Sequence, residues 1–375
     1  MADPGCLASD PVVVVVGAGL TGGLIALALA RLGLTVIQVA PPNQETGASA
    51  TGLSYGSLSL GTTGRAWRKL ERRHGPLGWT ACGLKLHDRG WLGRRLTLAA
   101  SRVDGPTLLA ALPRSLTAAG VRQRPALVQG LEAGGSGSWR LQLLDLPPTK
   151  PNQGPQALPP VAKPPEGASI LEARQVVLAA GAGCLDLWPP LARQVGISWA
   201  GVLALESNPG SNRWLDQVAW GRLVLNQQEQ RLELEDQAGW LAEDRWIVDA
   251  SAAPWGPQGV LVGQISLVRP LAGPREAPDP AKMEERLRQG LHGWDSQLAA
   301  LMGTYRQIPV AFGRQGRDLV GPVPGAPGLW TFTGFRSPFS TAPTRAAQLA
   351  QSLAASLTNQ AQPTMDRTKE SDQNI

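Results

Sequence analysis

Five consecutive valines, Val12–Val16, run directly into Gly17-Ala18-Gly19-Leu20-Thr21-Gly22. A continuous β-branched run that ends in glycines is the mark of a strand buried on both faces of a parallel sheet. Residues 22–32 that follow are good helix formers with Leu24, Leu27, Ala28 and Leu32 on one side, and Gly33 stands where a helix C-cap would fall. Residues 35–39 then predict a second strand, which completes a right-handed βαβ unit. In that setting the GxGxxG spacing has a mechanical meaning. Gly17 permits the tight turn, Gly19 lets the backbone approach a pyrophosphate, and Gly22 allows close helix–strand packing, so that helix N-terminal amides face the phosphates. The acidic residue that normally holds the adenosine ribose is missing: the second strand ends in Ala40, followed by Pro41 and Pro42. No arginine stands there for a 2′-phosphate. Glu45 reaching back, or backbone and water, are the remaining ways to hold the ribose.

A chain of 375 residues has room for two domains, and 44 glycines with 32 prolines favour sites built on loops. Cys6, Cys82 and Cys184 are far apart and form no CxxC; with only His74, His87 and His292 beside them, they point to no metal site and no disulfide framework. This cysteine usage favours a reducing, cytoplasmic setting. The segment before Val12 has no Lys or Arg, and the valine run is too short for a signal core or a membrane span, so neither is expected. The net charge of +6 gathers in residues 65–73 and 89–102, but Glu71 and Asp88 interrupt these clusters and no aromatic ladder is interleaved. They are read as a solvated basic face with no nucleic-acid partner expected, although an acidic substrate would be attracted.

Further along, residues 106–119 predict a helix, 121–131 an extended segment, and 139–146 and 173–178 two strands around a Pro-rich, exposed insertion at 147–169. Between 197 and 268 short strand-like segments carry Trp199, Trp214, Trp220, Trp240 and Trp246, and 280–301 predicts a helix. The polar tail from 359 to 375 has no apolar period and is expected to be disordered. The fold class that follows is α/β. A Rossmann-type domain is drawn from 11–80, 101–195 and 315–358, and a second, mixed α/β substrate domain from 81–100 and 196–314.

Several blocks, taken in order, resemble the D-amino-acid oxidase and glycine oxidase family of FAD-dependent oxidoreductases. Gly47-Ala48-Ser49-Ala50-Thr51-Gly52-Leu53-Ser54 is similar to the family's small-residue loop, and Val103-Asp104 with the helix after it leads to Val128 on a strand that in the family contacts adenine. Val176-Val177-Leu178-Ala179-Ala180-Gly181-Ala182 resembles the strand and turn that close over the cofactor. Leu319-Val320-Gly321-Pro322, Gly328-Leu329-Trp330, Thr333-Gly334-Phe335-Arg336 and Ala342-Pro343 resemble the stretch along the flavin and the helix whose N-terminus points at its pyrimidine side. The resemblance implies that FAD is bound by Gly17, Gly19, Leu20, Thr21, Gly22, Ala48, Ser49, Thr51, Gly52, Val128, Ala180, Gly181, Gly334, Phe335, Arg336, Ser340 and Thr341. Gln315-Gly316 and Asp318 depart from the family pattern, as does Ala40.

The activity implied is oxidation of an amine or amino acid by hydride transfer to noncovalent flavin, with O2 or another carrier as electron acceptor. An amino-acid carboxylate calls for an arginine fork. Arg336 is the first choice, and Tyr305 and Arg306 are further candidates, although Arg306 comes four residues before the family's register and Arg314 four after it. No GxSxG elbow surrounds Ser54, Ser57 or Ser59, which argues against a serine hydrolase. Two other functions compete: a flavin-binding protein with little catalysis that acts through a partner, and an NAD-dependent dehydrogenase.

Overall fold

The computed structural model describes residues 12–42, 49–59, 64–86, 96–146, 169–205, 213–219, 221–225, 228–270, 273 and 275–361. Val12–Val16 forms β1 and Thr35–Ala40 forms β2; the helix Leu20–Arg31 joins them, and they pair in parallel with Val13 opposite Val36. Val13, Val14 and Val15 are fully buried, as a doubly covered strand requires. Beyond Arg31 the Gly33 N–H donates to the Ala30 carbonyl and the Leu34 N–H to the Leu29 carbonyl, closing the helix end as the sequence anticipated.

The remaining strands are β3 (Trp79–Leu86), β4 (Leu98–Val103), β5 (Arg122–Ala133), β6 (Trp139–Asp145), β7 (Ser169–Ala173), β8 (Gln175–Leu178), β9 (Val195–Leu205), β10 (Leu223–Leu225), β11 (Arg245–Val248), β12 (Ala252–Trp255), β13 (Gly259–Val268), β14 (Thr304–Gly313), β15 (Leu319–Pro322) and β16 (Leu329–Thr333). They make two sheets. The first runs β15-β16-β8-β1-β2-β5-β6-β7, with β16, β8, β1, β2 and β5 parallel. Its strand order reverses around β1, and in open α/β sheets the crevice beyond the carboxyl ends at such a point is where ligands bind. Helices Leu20–Arg31, Gly105–Ala118 and Pro338–Ala361 cover one face through Ile25, Leu108, Leu112 and Leu353, while Val14, Leu141, Leu178 and Leu191 form the core on the other.

The second sheet runs β14-β9-β13-β12-β10-β3-β4, with β11 added on β13. Strand alternation gives it two different faces. Leu203, Val262 and Ile265 meet Met283, Leu287 and Leu291 of the helix Pro280–His292, whereas Val202, Ala204, Leu223 and Leu261 meet Leu53 and Tyr55 from the first sheet's loops. The two sheets are tied at Asp104. Its Oδ1 accepts from Arg102 Nη2 at 2.8 Å and from the Gly256 N–H at 3.0 Å, and its Oδ2 accepts from the Thr107 N–H at 3.0 Å to cap the helix Gly105–Ala118.

Two expectations change. The helix over 280–301 is two helices, Pro280–His292 and Ser296–Ala299, because Gly293 stops the first and Asp295 caps the second through the Gln297 N–H. The tryptophans of 197–268 do not all mark strands. Trp199 and Trp246 lie in β9 and β11, but Trp214 lies in the helix Arg213–Ala219, and Trp240 follows the charged helix Gln228–Gln237 and is 80% exposed. Side chains spaced irregularly along the chain carry no period-2 signal. Trp220, the insertion up to 168 and the tail beyond 361 lie outside the described residues, while the C-terminal helix extends to Ala361.

Candidate active site

The glycine loop is locked by backbone contacts that leave no room for side chains. Gly17 has φ +118, its N–H donates to the Val39 carbonyl at 2.9 Å, and a Cβ there would come 2.5 Å from the Ala179 carbonyl oxygen. A Cβ on Gly22 would come 2.0 Å from the Gly17 oxygen. At Gly19 the nearest atom is Thr51 Oγ1 at 3.2 Å, so this backbone can be approached. Gly19 caps the helix Leu20–Arg31 without a side-chain acceptor, and no acidic residue occupies the first turn, which leaves that end electropositive. This donor set fits a pyrophosphate. Leu20 N–H donates to Thr51 Oγ1 at 3.0 Å and Thr21 Oγ1 donates to the Ala179 carbonyl at 3.2 Å. Gln38, buried in β2, donates from Nε2 to the Gly17 carbonyl at 3.1 Å. That role was not anticipated, although a glutamine inside an apolar strand was its signal. Ala40 is half-buried at the end of β2, and Glu45 lies outside the described residues.

The neighbouring segments converge on this loop. Ser49 Oγ accepts from the Gly52 N–H at 3.1 Å, and the Gly52 carbonyl accepts from Trp255 Nε1 of the second sheet at 2.7 Å. Ala48 lies outside the described residues. Beyond β8, Ala180 leads into Gly181, whose carbonyl accepts from Thr333 Oγ1 at 3.4 Å. Cys184 is fully buried, and burial pushes its thiol up to about 11, so it is inert. The Gly334 carbonyl accepts from the Gly313 N–H at 2.7 Å. Phe335 packs edge-on against Phe332 in the helix-side core, and Val128 is buried in the opposite core of the first sheet. At the start of the helix Pro338–Ala361, Ser340 Oγ accepts from the Ser59 N–H at 2.8 Å and Thr341 Oγ1 donates to the Ser337 carbonyl at 3.1 Å. Burial pushes the Asp318 carboxyl up, against the pull of the Arg336 backbone N–H and of Arg345.

Tyr305 and Arg306 are adjacent in β14 and turn to opposite faces of it, while Arg336 lies outside that strand. Arg336 forms an ion pair with Asp236 of the helix Gln228–Gln237. The Tyr305 hydroxyl donates to Gln307 Oε1 at 3.2 Å on the face of β14 that packs against the helix Pro280–His292; burial and then Glu284 push it up. Arg306 lies on the opposite face, paired across with Val202. A polar group that the sequence did not single out occupies that side of the molecule. Asp249, in the bend between β11 and β12, is 2% exposed, and burial pushes its carboxyl up to about 7 even though Arg231 pulls it down. Glu235 is buried, accepts from Arg231 Nη1 at 2.9 Å and from Ser198 Oγ at 3.4 Å, and is raised by burial. Tyr55, 6% exposed, has a phenol raised by burial and then by Asp249.

The glycine-loop sheet and the second mixed sheet together define a Rossmann-type α/β fold of two sheets. The same fold is found in iminodiacetate oxidase from Chelativorans sp. BNC1, at 18% identity and a TM-score of 0.61 over 92% of this chain and 95% of that one. Glycine oxidase from Geobacillus kaustophilus is similar at 17% identity and a TM-score of 0.58, over 95% and 97% of the two chains. Glycerol-3-phosphate dehydrogenase from Bacillus halodurans, in a structure complexed with FAD, matches at 14% identity and a TM-score of 0.59, over 94% of this chain and 66% of that one. No family model and no curated protein matches the sequence.

Proposed function

We propose that the chain is a FAD-dependent oxidoreductase that oxidises an amine or amino acid. The observation that carries this is the interlocked loop Gly17 to Gly22 under the Ala179 turn, in which Gly17 and Gly22 leave no space for a side chain, on a fold that iminodiacetate and glycine oxidases share. Gly17, Gly19, Leu20, Thr21 and Gly22 would hold the pyrophosphate. Ala48, Ser49, Thr51 and Gly52 would line its path; Val128 would lie toward adenine, and Ala180, Gly181, Gly334, Phe335, Ser340 and Thr341 toward the ring. FAD, when bound, supplies the hydride acceptor, and the protein's part is to hold the amine-bearing carbon against it and keep water out. The first sheet then forms the FAD domain and the second the substrate domain. O2 or a carrier reoxidises the flavin, and the scattered free cysteines fit a cytoplasmic setting. Among the described residues no helix is long and apolar enough to cross a membrane.

The purified protein, reconstituted with FAD, should show flavin absorption bands at about one flavin per chain, and these should bleach anaerobically when a suitable amine is added. Absence of flavin bands would overturn the reading. The Arg336–Asp236 ion pair favours one alternative, a flavin protein that turns over no amino acid; bound flavin that none of glycine, D-alanine, iminodiacetate and n-propylamine reduces would support it.

A further inference from the structure

The helix Arg65–His74 concentrates positive charge around a cavity. Arg65, Arg68 and Arg72 share one of its faces, at i, i+3 and i+7, and with Glu71 and Pro76 they line a cavity of about 550 Å³. Glu71 interrupts the basic cluster in the sequence but forms no ion pair with it. Its Oε1 accepts from the Leu77 N–H at 2.8 Å and the Trp79 N–H at 3.0 Å, which holds the turn that carries Pro76 as one wall of the cavity. The Arg68 guanidinium lies over the Trp79 ring, 5.3 Å from its centroid, and so has a fixed direction. On the other side of the helix, Trp67 is buried, its ring stacks on Phe339 and its Nε1 donates to the Phe339 carbonyl at 2.6 Å, so the arginines stand on a pinned element. Among the described residues Arg65, Arg68 and Arg72 have no carboxylate partner. Local rules are broken here. Arg65 and Arg68 occupy the first four helical positions, where the helix dipole is already positive, and no acid accompanies them. Arg65 with Lys69, Arg68 with Arg72 and Lys69 with Arg73 are like-charge pairs at i, i+4. At the helix end the His74 imidazole is pushed down by burial and then by Arg73 and Arg31. A helix that breaks these rules around a cavity lacks a counter-anion there.

We propose that Arg65, Arg68 and Arg72 bind a phosphate group in this cavity, free or esterified to a small molecule. Three guanidiniums against the one carboxylate of the lining leave two positive charges over, which suits a phosphate monoester with its charge of about −1.5 to −2 and three terminal oxygens. A carboxylate has one charge and would use one arginine of the three. All three lining cations are arginine, with planar forks made for oxyanions, whereas Lys69 of the same helix lies outside the lining. The cavity volume falls within the roughly 300–1,000 Å³ of small-molecule sites. None of these residues belongs to the glycine loop or to the segments that would hold FAD, so the site stands whether or not the oxidoreductase reading does.

The test titrates phenyl phosphate and inorganic phosphate into the full chain, reconstituted with FAD, by isothermal calorimetry, with benzoate and sodium chloride at matched ionic strength as controls. Phosphate should bind saturably at about one per chain, and benzoate should neither bind nor compete. Tighter binding of the phenyl ester assigns the site to an ester, and equal binding assigns it to the free anion; both support it. Arg68→Met and Arg72→Met should each weaken binding by about tenfold or more, and Arg72→Lys, which keeps the charge but loses the fork, by severalfold. Arg73→Met, on the same helix but outside the lining, should stay within about twofold of the wild type. A merely solvated basic face would lose as much from Arg73→Met as from Arg72→Met, and that equality would overturn the site. Gly19→Glu, which blocks the glycine loop, should keep the binding; its loss in a folded Gly19→Glu would place the phosphate at that loop instead. If Gly19→Glu fails to fold, the arginine series still decides. No saturable heat with either phosphate, or binding only to poly-L-glutamate or to phosphatidylglycerol vesicles, would also overturn the assignment, the last two in favour of an acidic protein or a membrane surface.

Discussion

Gly19 and Gly22 stand three residues apart in one motif, yet the structure separates their roles. A methyl group on Gly22 would sit 2.0 Å from the Gly17 oxygen, so Gly22→Ala must displace the loop itself. It should lower stability by about 1–3 kcal/mol and reduce flavin loading, both measurable by thermal melts with and without FAD. At Gly19 only Thr51 Oγ1 lies near, at 3.2 Å. Gly19→Glu should therefore keep the fold while abolishing flavin content, because its carboxylate occupies the electropositive helix end; a fully loaded yellow variant would refute the assigned loop. Asp249 gives a residue-scale prediction for pH. Its folded pKa, about 7, lies above the unfolded value, so the native state holds a proton that the unfolded chain releases, and stability falls as pH rises from about 4 through about 7. Asp249→Asn should melt higher than the wild type at pH 8 and lose that part of the slope; equal slopes would show that Asp249 does not carry it.

Elements differ in how far their sequence announces them. The strand Val12–Val16, the helix Leu20–Arg31 and the strand Thr35–Ala40 are legible because their partners are adjacent in the chain and each satisfies a local rule. The second sheet is not. Its β10 pairs in parallel with β3 at Leu223 and Leu84, and β9 takes β13 and β14 on either side, pairings that no local period encodes. The same holds for the site: the glycine loop is a contiguous motif, whereas Thr51, Ala179 and Thr333, which bond to it or to the turn above it, come from distant parts of the chain. Asp104 shows an element boundary doing a second task, since the cap of the helix Gly105–Ala118 also holds Arg102 and the Gly256 backbone. Burial tends to raise its carboxyl, but the Thr107 hydrogen bonds and Arg102 outweigh that and hold it below the usual range. Asp104→Ala, which strands Arg102, should cost about 3–5 kcal/mol, and Asp104→Asn, which keeps an acceptor for Thr107, about 1–3 kcal/mol. The sign for pH is opposite to that of Asp249. Stability from Asp104 is present above an unfolded pKa near 3.9 and is lost as acid carries pH down through the folded value, so acid melts of Asp104→Asn should lack that component.

At the scale of the whole molecule, the two sheets meet along a seam. At one point on it Trp255 of the second sheet holds the Gly52 carbonyl, and at another Asp236 of the helix Gln228–Gln237 holds Arg336, which follows the last strand of the first sheet. Asp236 takes one terminal nitrogen of Arg336, while the Arg336 Nε is buried without a hydrogen-bond partner. The Asp236 side chain is 44% exposed while that of Arg336 is 18% exposed, so removing the carboxylate leaves a largely enclosed cation whose partner was a half-solvated one. Asn keeps an amide oxygen for the guanidinium and only a half-solvated charge is lost, so Asp236→Asn should cost about 1 kcal/mol of stability. Its effect on recognition should be larger, because a freed arginine fork is suited to a carboxylate. Propionate, which should not perturb the flavin of the wild type, should bind Asp236→Asn with a saturable absorbance change, and Arg336→Met placed on that background should abolish it. If propionate leaves Asp236→Asn untouched, the ion pair is no more than a tie between the sheets.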